Sequence, residues 1–429
     1  MADIARITRE VSDLRVQLTR SSLGDFAKFA DGAEQSMAGE IFYLNHAPTE
    51  QVIREMGERG VSQRYLLDPE KYAPVGKLLD EVGATWKTYG EVPFKNHAKG
   101  FVRETGGELE AFITTGAFTS KTAERLEFVT SFKGDAAAAL RGVIDAGIGA
   151  DVKKMAAAAR EAAKFGIVVN DSMAGATYLT DSVFDLVKKA RENIVVSTKI
   201  YSDPRMIKLV DEAAARGVKV RFSDIRSQGM HGNLLVADDS MYFGTAHFSP
   251  RSLANGDLAY RKARDLGMVV KDKAAVDEVL KTMDAEQMPV YLADEFAQTR
   301  SHYQHIDELG KYREKITELE KAGTPVSDAQ RARLTELEEA SEAATDRWRT
   351  LRTEVRERRD EDGITFASPA ADVPLDPRAV GVKPAGALSG ALDGAKAMLD
   401  SRAGKIALGG VATGAAVGTA YAVSAGSGE

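Results

Sequence analysis

Residues 26–68 read FAKFADGAEQSMAGEIFYLNHAPTEQVIREMGERGVSQRYLLD, and residues 184–225 read FDLVKKARENIVVSTKIYSDPRMIKLVDEAAARGVKVRFSDI. Each stretch is a helical segment, a short β-rich run, a second amphipathic helix ending in Arg-Gly-Val, and another strand. Gly60 and Gly217 stand where a helix stops and the chain turns into the next strand, a position that favours glycine. Helices alternating with strands predict parallel βα units and an α/β sheet. The two copies lie about 157 residues apart, far too long a period for a solenoid, so the pattern predicts a duplicated domain with pseudo-two-fold symmetry.

Working outward, each copy is followed by a histidine and a pair of strands. His97-Ala98-Lys99 opens the strand KGFVR, which ends at Glu104; the strand LEAFITT follows and leads into Gly116-Ala117-Phe118-Thr119-Ser120. His231-Gly232-Asn233 opens LLVA, which turns at Asp238; MYFGT follows and leads into Ala246-His247-Phe248-Ser249-Pro250. Residues i and i+2 of a strand share a face, so His97 projects with Lys99 and His231 with Asn233. The segments after Phe118 and Phe248 read as capped helix starts, with Pro250 suited to a first helical position. Two imidazoles at matched places are candidates for a nucleophile and an acid/base, and the residues alone do not assign which is which.

These motifs resemble those of the phospholipase D superfamily, whose mark is a duplicated HxKxxxxD followed by a Gly-Ser-x-Asn-like segment. The first copy here is HAKGFVRE, with glutamate in the acidic place. The second is HGNLLVAD, with asparagine in place of lysine, and GTAHFS resembles the downstream segment. The resemblance covers residues 25–290. It implies α-β-α sandwich halves and metal-independent phosphodiester cleavage through a phosphohistidine, with no cofactor. By the same resemblance His97 is the nucleophile and His231 the acid/base. Lys99 neutralises phosphate oxygens, Asn233, Thr115 and Thr245 are further donors, and Glu104 and Asp238 orient the histidines, each supporting the other half's. Loss of the second lysine removes a charge-assisted hydrogen bond worth roughly 1.5–3 kcal/mol. Arg251, Arg261, Lys262 and Arg264 are candidates to compensate.

The expected organisation is an N-terminal amphipathic helix over 1–24, a first half with an alanine-rich helical connector over 25–165, and a second half over 166–299. A helical hairpin over 300–362 follows, then a proline-rich linker over 363–385 and a Gly/Ala-rich apolar tail over 386–429. Ile306, Leu309, Tyr312, Ile316 and Leu319 mark one face of the hairpin, with Leu334, Leu337, Ala344, Trp348, Leu351 and Val355 on the other arm. Ser327 or Asp328 is the N-cap between them. The bland role of this hairpin is packing on the catalytic body or on another copy.

The chain has no cysteine, which excludes disulfides and thiolate chemistry. No P-loop, dinucleotide fingerprint or GxSxG elbow is present. The spacing of His302 and His305 lacks a carboxylate pattern for a metal, while His46 and His247 read as locally hydrogen-bonded residues. The N-terminus has no apolar signal core, which fits a cytoplasmic protein. Lys and Arg number 57 against 64 Asp and Glu, a net charge of −7, without the basic excess of a dedicated nucleic-acid binder. Residues 406–428 carry no charge, and Gly410, Gly414 and Gly418 repeat at four, a spacing that lets membrane helices approach. The expectation is a membrane-associating segment over 406–424. Phospholipid is therefore the favoured substrate, ahead of nucleic acid, with a catalytically decayed interaction protein as the third reading.

Overall fold

The structure is a computed structural model that describes residues 9–92, 94–223, 230–254 and 263–367. The first half comprises β1 (Ser12–Thr19), α1 (Ser22–Asp31), β2 (Ser36–Ile41), α2 (Ala47–Glu58), β3 (Ser62–Leu67) and α3 (Tyr72–Glu81). It continues through β4 (Thr85–Thr88), β5 (Lys95–Asn96), β6 (Gly100–Thr105), β7 (Glu108–Thr114) and β8 (Glu127–Lys133). Helices α4 (Gly134–Ile148) and α5 (Val152–Ala163) form the connector expected from the alanine-rich sequence. The second half comprises β9 (Ile167–Asp171), β10 (Ala176–Thr177), α6 (Tyr178–Lys189), β11 (Asn193–Ser197), α7 (Pro204–Ala215) and β12 (Lys219–Phe222). It ends with β13 (Asn233–Ala237), β14 (Ser240–Gly244), β15 (Ala263–Lys271), α8 (Lys273–Ala285) and β16 (Tyr291–Leu292). The hairpin is α9 (Ala293–Lys321) and α10 (Asp328–Asp362).

The repeat is visible in the strand order. The first sheet runs β1-β8-β7-β6-β2-β3 and the second β9-β15-β14-β13-β11-β12, the same order with the same relative directions. Strand β4 extends the first sheet; β10 and β16 flank the second. The sheets are mixed rather than parallel throughout. Within each half the strands joined by helical crossovers pair parallel, β2-β3-β4 and β11-β12, whereas β6-β7-β8 and β13-β14-β15 are antiparallel. A strand that returns through a short turn can only come back antiparallel.

Side chains alternate between two buried faces. Leu234 and Val236 of β13 and Met241 and Phe243 of β14 face a core shared with the first sheet, where Phe128 stacks on Phe243 at 4.9 Å. Leu235 and Tyr242 face the opposite way, under α6 and α7. In the first half Val102, Ala111 and Ile113 face the shared core, and Phe101 and Phe112 face α1 and α2. Both faces being apolar, the strands lack the polar alternation of a solvated sheet.

The N-terminal segment corrects the sequence reading. Residues 12–19 form β1, antiparallel to β8, and not a helix. Val11, Leu14 and Leu18 fit a helical stripe, but Leu14, Val16 and Leu18 fit a strand equally well, and the open edge of β8 decides between them. The hairpin begins at Ala293, earlier than 300, because the Glu295 carboxylate accepts from the Leu292 backbone N–H at 2.8 Å. Ser327 is the N-cap of α10. Leu351 and Val355 join the core beneath the second half, and Phe296 stacks on Phe222 at 3.8 Å. Among the described residues no helix is long and apolar enough to cross a membrane. The tail segment 406–424 and nearly all of the proline-rich linker lie outside the described residues.

One buried ion cluster joins the halves. The Arg264 guanidinium on β15 donates to both Glu40 carboxylate oxygens on β2 at 2.9 and 2.8 Å, to Asp171 on β9, and to the Val143 carbonyl of α4 at 3.0 Å. Asp171 also accepts the Tyr89 hydroxyl of the first half at 2.9 Å. Arg264, Glu40 and Asp171 are each at most 1% exposed. Removing the cation leaves two carboxylates buried without it, so Arg264→Met is expected to cost about 3–5 kcal/mol of stability. Urea unfolding checks this; a loss below about 1 kcal/mol, the scale of an exposed pair, would show that the cluster does not hold the halves together.

Candidate active site

His97 and His231 lie just before β6 and β13, at equivalent places in the two sheets. Each is fixed by the other half. The His97 backbone N–H donates to the Arg264 carbonyl at 2.8 Å, and β5 pairs in parallel with the start of β15. The His231 backbone N–H donates to the Leu126 carbonyl at 3.1 Å, and Leu126 forms a parallel bridge with Met230.

The side chains repeat this exchange. His97 Nδ1 lies 3.0 Å from Asp265 Oδ1, and His231 Nδ1 lies 3.0 Å from Glu127 Oε1. The first contact is an aligned hydrogen bond; the second is at ion-pair distance without that alignment. Each carboxylate is held by a threonine at the end of the neighbouring strand. Thr245 Oγ1 lies 3.0 Å from Asp265 and accepts the Leu266 N–H at 3.0 Å, while Thr115 Oγ1 donates to Glu127 at 2.6 Å and accepts the Phe128 N–H at 2.9 Å. A carboxylate only accepts, so His97 Nδ1 carries the proton and Nε2 keeps its lone pair.

The orienting acids are therefore Asp265 and Glu127, and not Glu104 and Asp238. Glu104 lies at the far end of β6, seven residues past His97 and some ~23 Å along an extended chain, where it accepts the Ser36 hydroxyl at 2.8 Å. Asp238 has φ +51° and accepts the backbone N–H groups of Arg191, Glu192 and Asn193 at 2.9, 2.9 and 3.0 Å, which anchors a turn. Thr115 and Thr245 serve the carboxylates in place of the expected donation to substrate. The sequence signal for Glu127 and Asp265 was the acidic residue at the start of β8 and of β15, more than twenty residues past the end of each motif and so invisible to it.

Lys99 is fully buried, and its Nζ donates to the His97 carbonyl at 2.8 Å. Phe42 packs edge-on to the His97 ring at 4.9 Å and lies under Lys95 and Lys99 Nζ at 4.5 and 5.0 Å. Burial pulls Lys99 down to about 7 and Lys95 to about 8, with Asp265 working against burial at Lys99. Burial, then the charges of Lys99, Lys95 and Arg251, holds His97 well below its ordinary value, so the ring is neutral at neutral pH.

His247, read from the sequence as a local residue, belongs to this group. Its ring centre is 5.5 Å from that of His97 and 6.5 Å from that of His231. Asn233 does not face the site as a free donor: it binds His247, Thr198 and two carbonyls. Of the candidate compensating cations, Arg251 is close enough to act on His97 and His247, Arg264 is committed to the ion cluster, and Arg261 and Lys262 lie outside the described residues. No group of three or more His, Asp or Glu among the described residues is arranged to hold a metal ion.

No protein-family model matches this sequence, and no curated protein does. Solved structures share part of the chain trace. Polyphosphate kinase from Porphyromonas gingivalis aligns with 64% of this chain at 11% identity and a TM-score of 0.49. The chain spans about half of that protein, 47% of its length. Phosphatidylserine synthase of Haemophilus influenzae aligns with 65% of this chain and 87% of its own, at 10% identity and a TM-score of 0.48. A yeast tyrosyl-DNA phosphodiesterase aligns with 61% and 89%, at 9% identity and a TM-score of 0.40.

The geometry separates two sets of carboxylates by experiment. Asp265→Asn and Glu127→Gln each weaken a charged contact worth roughly 1.5–3 kcal/mol, an expected 10- to 150-fold fall in any turnover that uses the two histidines. Glu104→Gln should leave turnover within about twofold, as expected of a half-buried contact at the far end of β6 from His97. Equal losses from all three would return the orienting role to the motif's own acid.

Proposed function

We propose that this protein is a phospholipase D-superfamily enzyme that breaks phosphodiester bonds through a phosphohistidine on His97. The observation that carries this reading is the reciprocal exchange: each histidine is backed by a carboxylate of the opposite half, and both rings flank His247. His97, neutral and protonated on Nδ1 toward Asp265, presents the Nε2 lone pair as nucleophile. The Nε2–phosphorus bond forms as the bond to the leaving oxygen breaks, and that oxygen takes a proton from His231. Glu127 lies behind that ring, 3.0 Å from His231 Nδ1. Water, or an alcohol, then attacks phosphorus, returns its proton to His231 and frees His97. Lys99 offsets charge on the non-bridging oxygens.

Phospholipid is the substrate class proposed, supported by the acidic balance of the chain, −7 overall. The test is incubation with labelled phosphatidylcholine, phosphatidylglycerol and oligonucleotides in parallel, with acid-labile label on the protein as the readout. His97→Ala and His231→Ala should each lower turnover at least about 10²-fold, and turnover should survive EDTA because the nucleophile and acid are side chains. Turnover of the oligonucleotide alone would replace the lipid reading by a nuclease. Inactivity on every substrate would leave a decayed member of the fold.

The pH profile follows from Lys99. Its charge is useful only when protonated, so kcat/KM should fall as pH rises through about 7, the value burial gives it in the free enzyme. Lys99→Arg retains charge and should move that limb upward. A limb unchanged by Lys99→Arg would assign it to another group, Lys95 being the first to examine.

A further inference from the structure

The two halves match in the placing of histidine, threonine and carboxylate and differ in chemistry at a further pair of positions. Thr115-Gly116-Ala117-Phe118 corresponds to Thr245-Ala246-His247-Phe248: both threonines hold a carboxylate, and both phenylalanines bridge in parallel to the loop after the equivalent strand, at Leu44 and Tyr201. Lys99 and Asn233 correspond as the third residues of the two motifs. The first half thus pairs Lys99 with Ala117, and the second pairs Asn233 with His247.

We infer that His247 is the second half's phosphate-binding cation, supplying what Lys99 supplies in the first, and that Asn233 is the residue that positions it. The inference rests on the phosphodiester reading above. Asn233 Nδ2 donates to the Gly244 and Thr245 carbonyls, both at 3.2 Å. Carbonyls only accept, so the amide has one orientation and its Oδ1 is the acceptor facing Thr198 Oγ1 at 2.8 Å and His247 Nδ1 at 2.9 Å. His247 Nδ1 must therefore carry a proton. Among the described residues none makes a hydrogen bond to its Nε2, which leaves that atom to a ligand between His97 and His231.

The charge on His247 is conditional. Burial, then the neighbouring His97 and His231, lowers its proton affinity well below the ordinary value; Asp265 opposes this and Arg251 adds to it. Without a bound anion the ring is neutral. An anion bound against Nε2 stabilises the imidazolium, so a proton is taken from solvent as the anion enters. Lys99 and His247 then stand as two cations, one from each half.

Calorimetric titration with tungstate, a phosphate analogue, in buffers of different ionisation enthalpy tests this. Wild-type protein should take up protons on binding. His247→Ala, and His247→Gln as a variant of similar volume, should weaken tungstate at least about tenfold, the scale of one charge-assisted contact, and reduce the proton uptake. The double variant Asn233→Lys with His247→Ala copies the first half and should recover affinity, which a merely structural loss would not. Unchanged affinity in either folded His247 variant, or failure of the double variant to recover, overturns the inference while leaving the His97 and His231 reading intact if wild-type protein still turns over phosphodiesters. No tungstate binding and no turnover by wild-type protein would remove both.

Discussion

The buried guanidinium of Arg264 constrains everything near the site. It is held by Glu40 from the first sheet and Asp171 from the second, and its own carbonyl accepts the His97 N–H. Its successor in the chain is Asp265, which orients the His97 ring, and Leu266 follows in the shared core. One strand start therefore fixes the interface, the histidine backbone and the carboxylate together. An isolated buried cation is prohibitive in a medium of low polarity; here two carboxylates and a carbonyl surround it, and only the docked arrangement of both halves brings them together.

That dependence explains why the site is reciprocal. A histidine oriented by a carboxylate on its own strand would need the chain to fold back within a few residues, and a strand rises too fast for that. The opposite half offers its third strand, β15 or β8, at the mouth where the histidine stands. Thr245 and Thr115 then hold the carboxylates through a hydroxyl and a backbone N–H. The rings stand beside strand ends, and contacts from the opposite half fix the backbone of His97 and His231 there.

Much of this was legible in the sequence. The repeat around Arg-Gly-Val, the connector of alanines, and the strands after His97 and His231 all correspond to observed elements, because apolar periodicity and turn glycines are local signals. Gly60 and Gly217 adopt φ +77° and +90°, as their place after a helix required. The partners of the histidines were not legible. Asp265 is separated from His97 by 168 residues and pairs with it only through docking of the halves. Residues 12–19 were ambiguous because their apolar spacing satisfies two periods, and only the exposed edge of β8 selects the strand. His247 looked local because its hydrogen bond to Asn233 is local; its second nitrogen is what makes it more.

The matched strand order has an evolutionary consequence. Two identical copies related by a two-fold axis would present the same acid, the same third motif residue and the same loop residue on both sides, and any change would appear twice. Joined in one chain, each copy can change alone. Here one acid is Asp265 and the other Glu127, differing by a methylene; one motif carries Lys99 and the other Asn233. In a symmetric pair of histidines the orientation of the bound substrate alone decides which ring takes which role, whereas a fused pair can differ in the surroundings of the two rings.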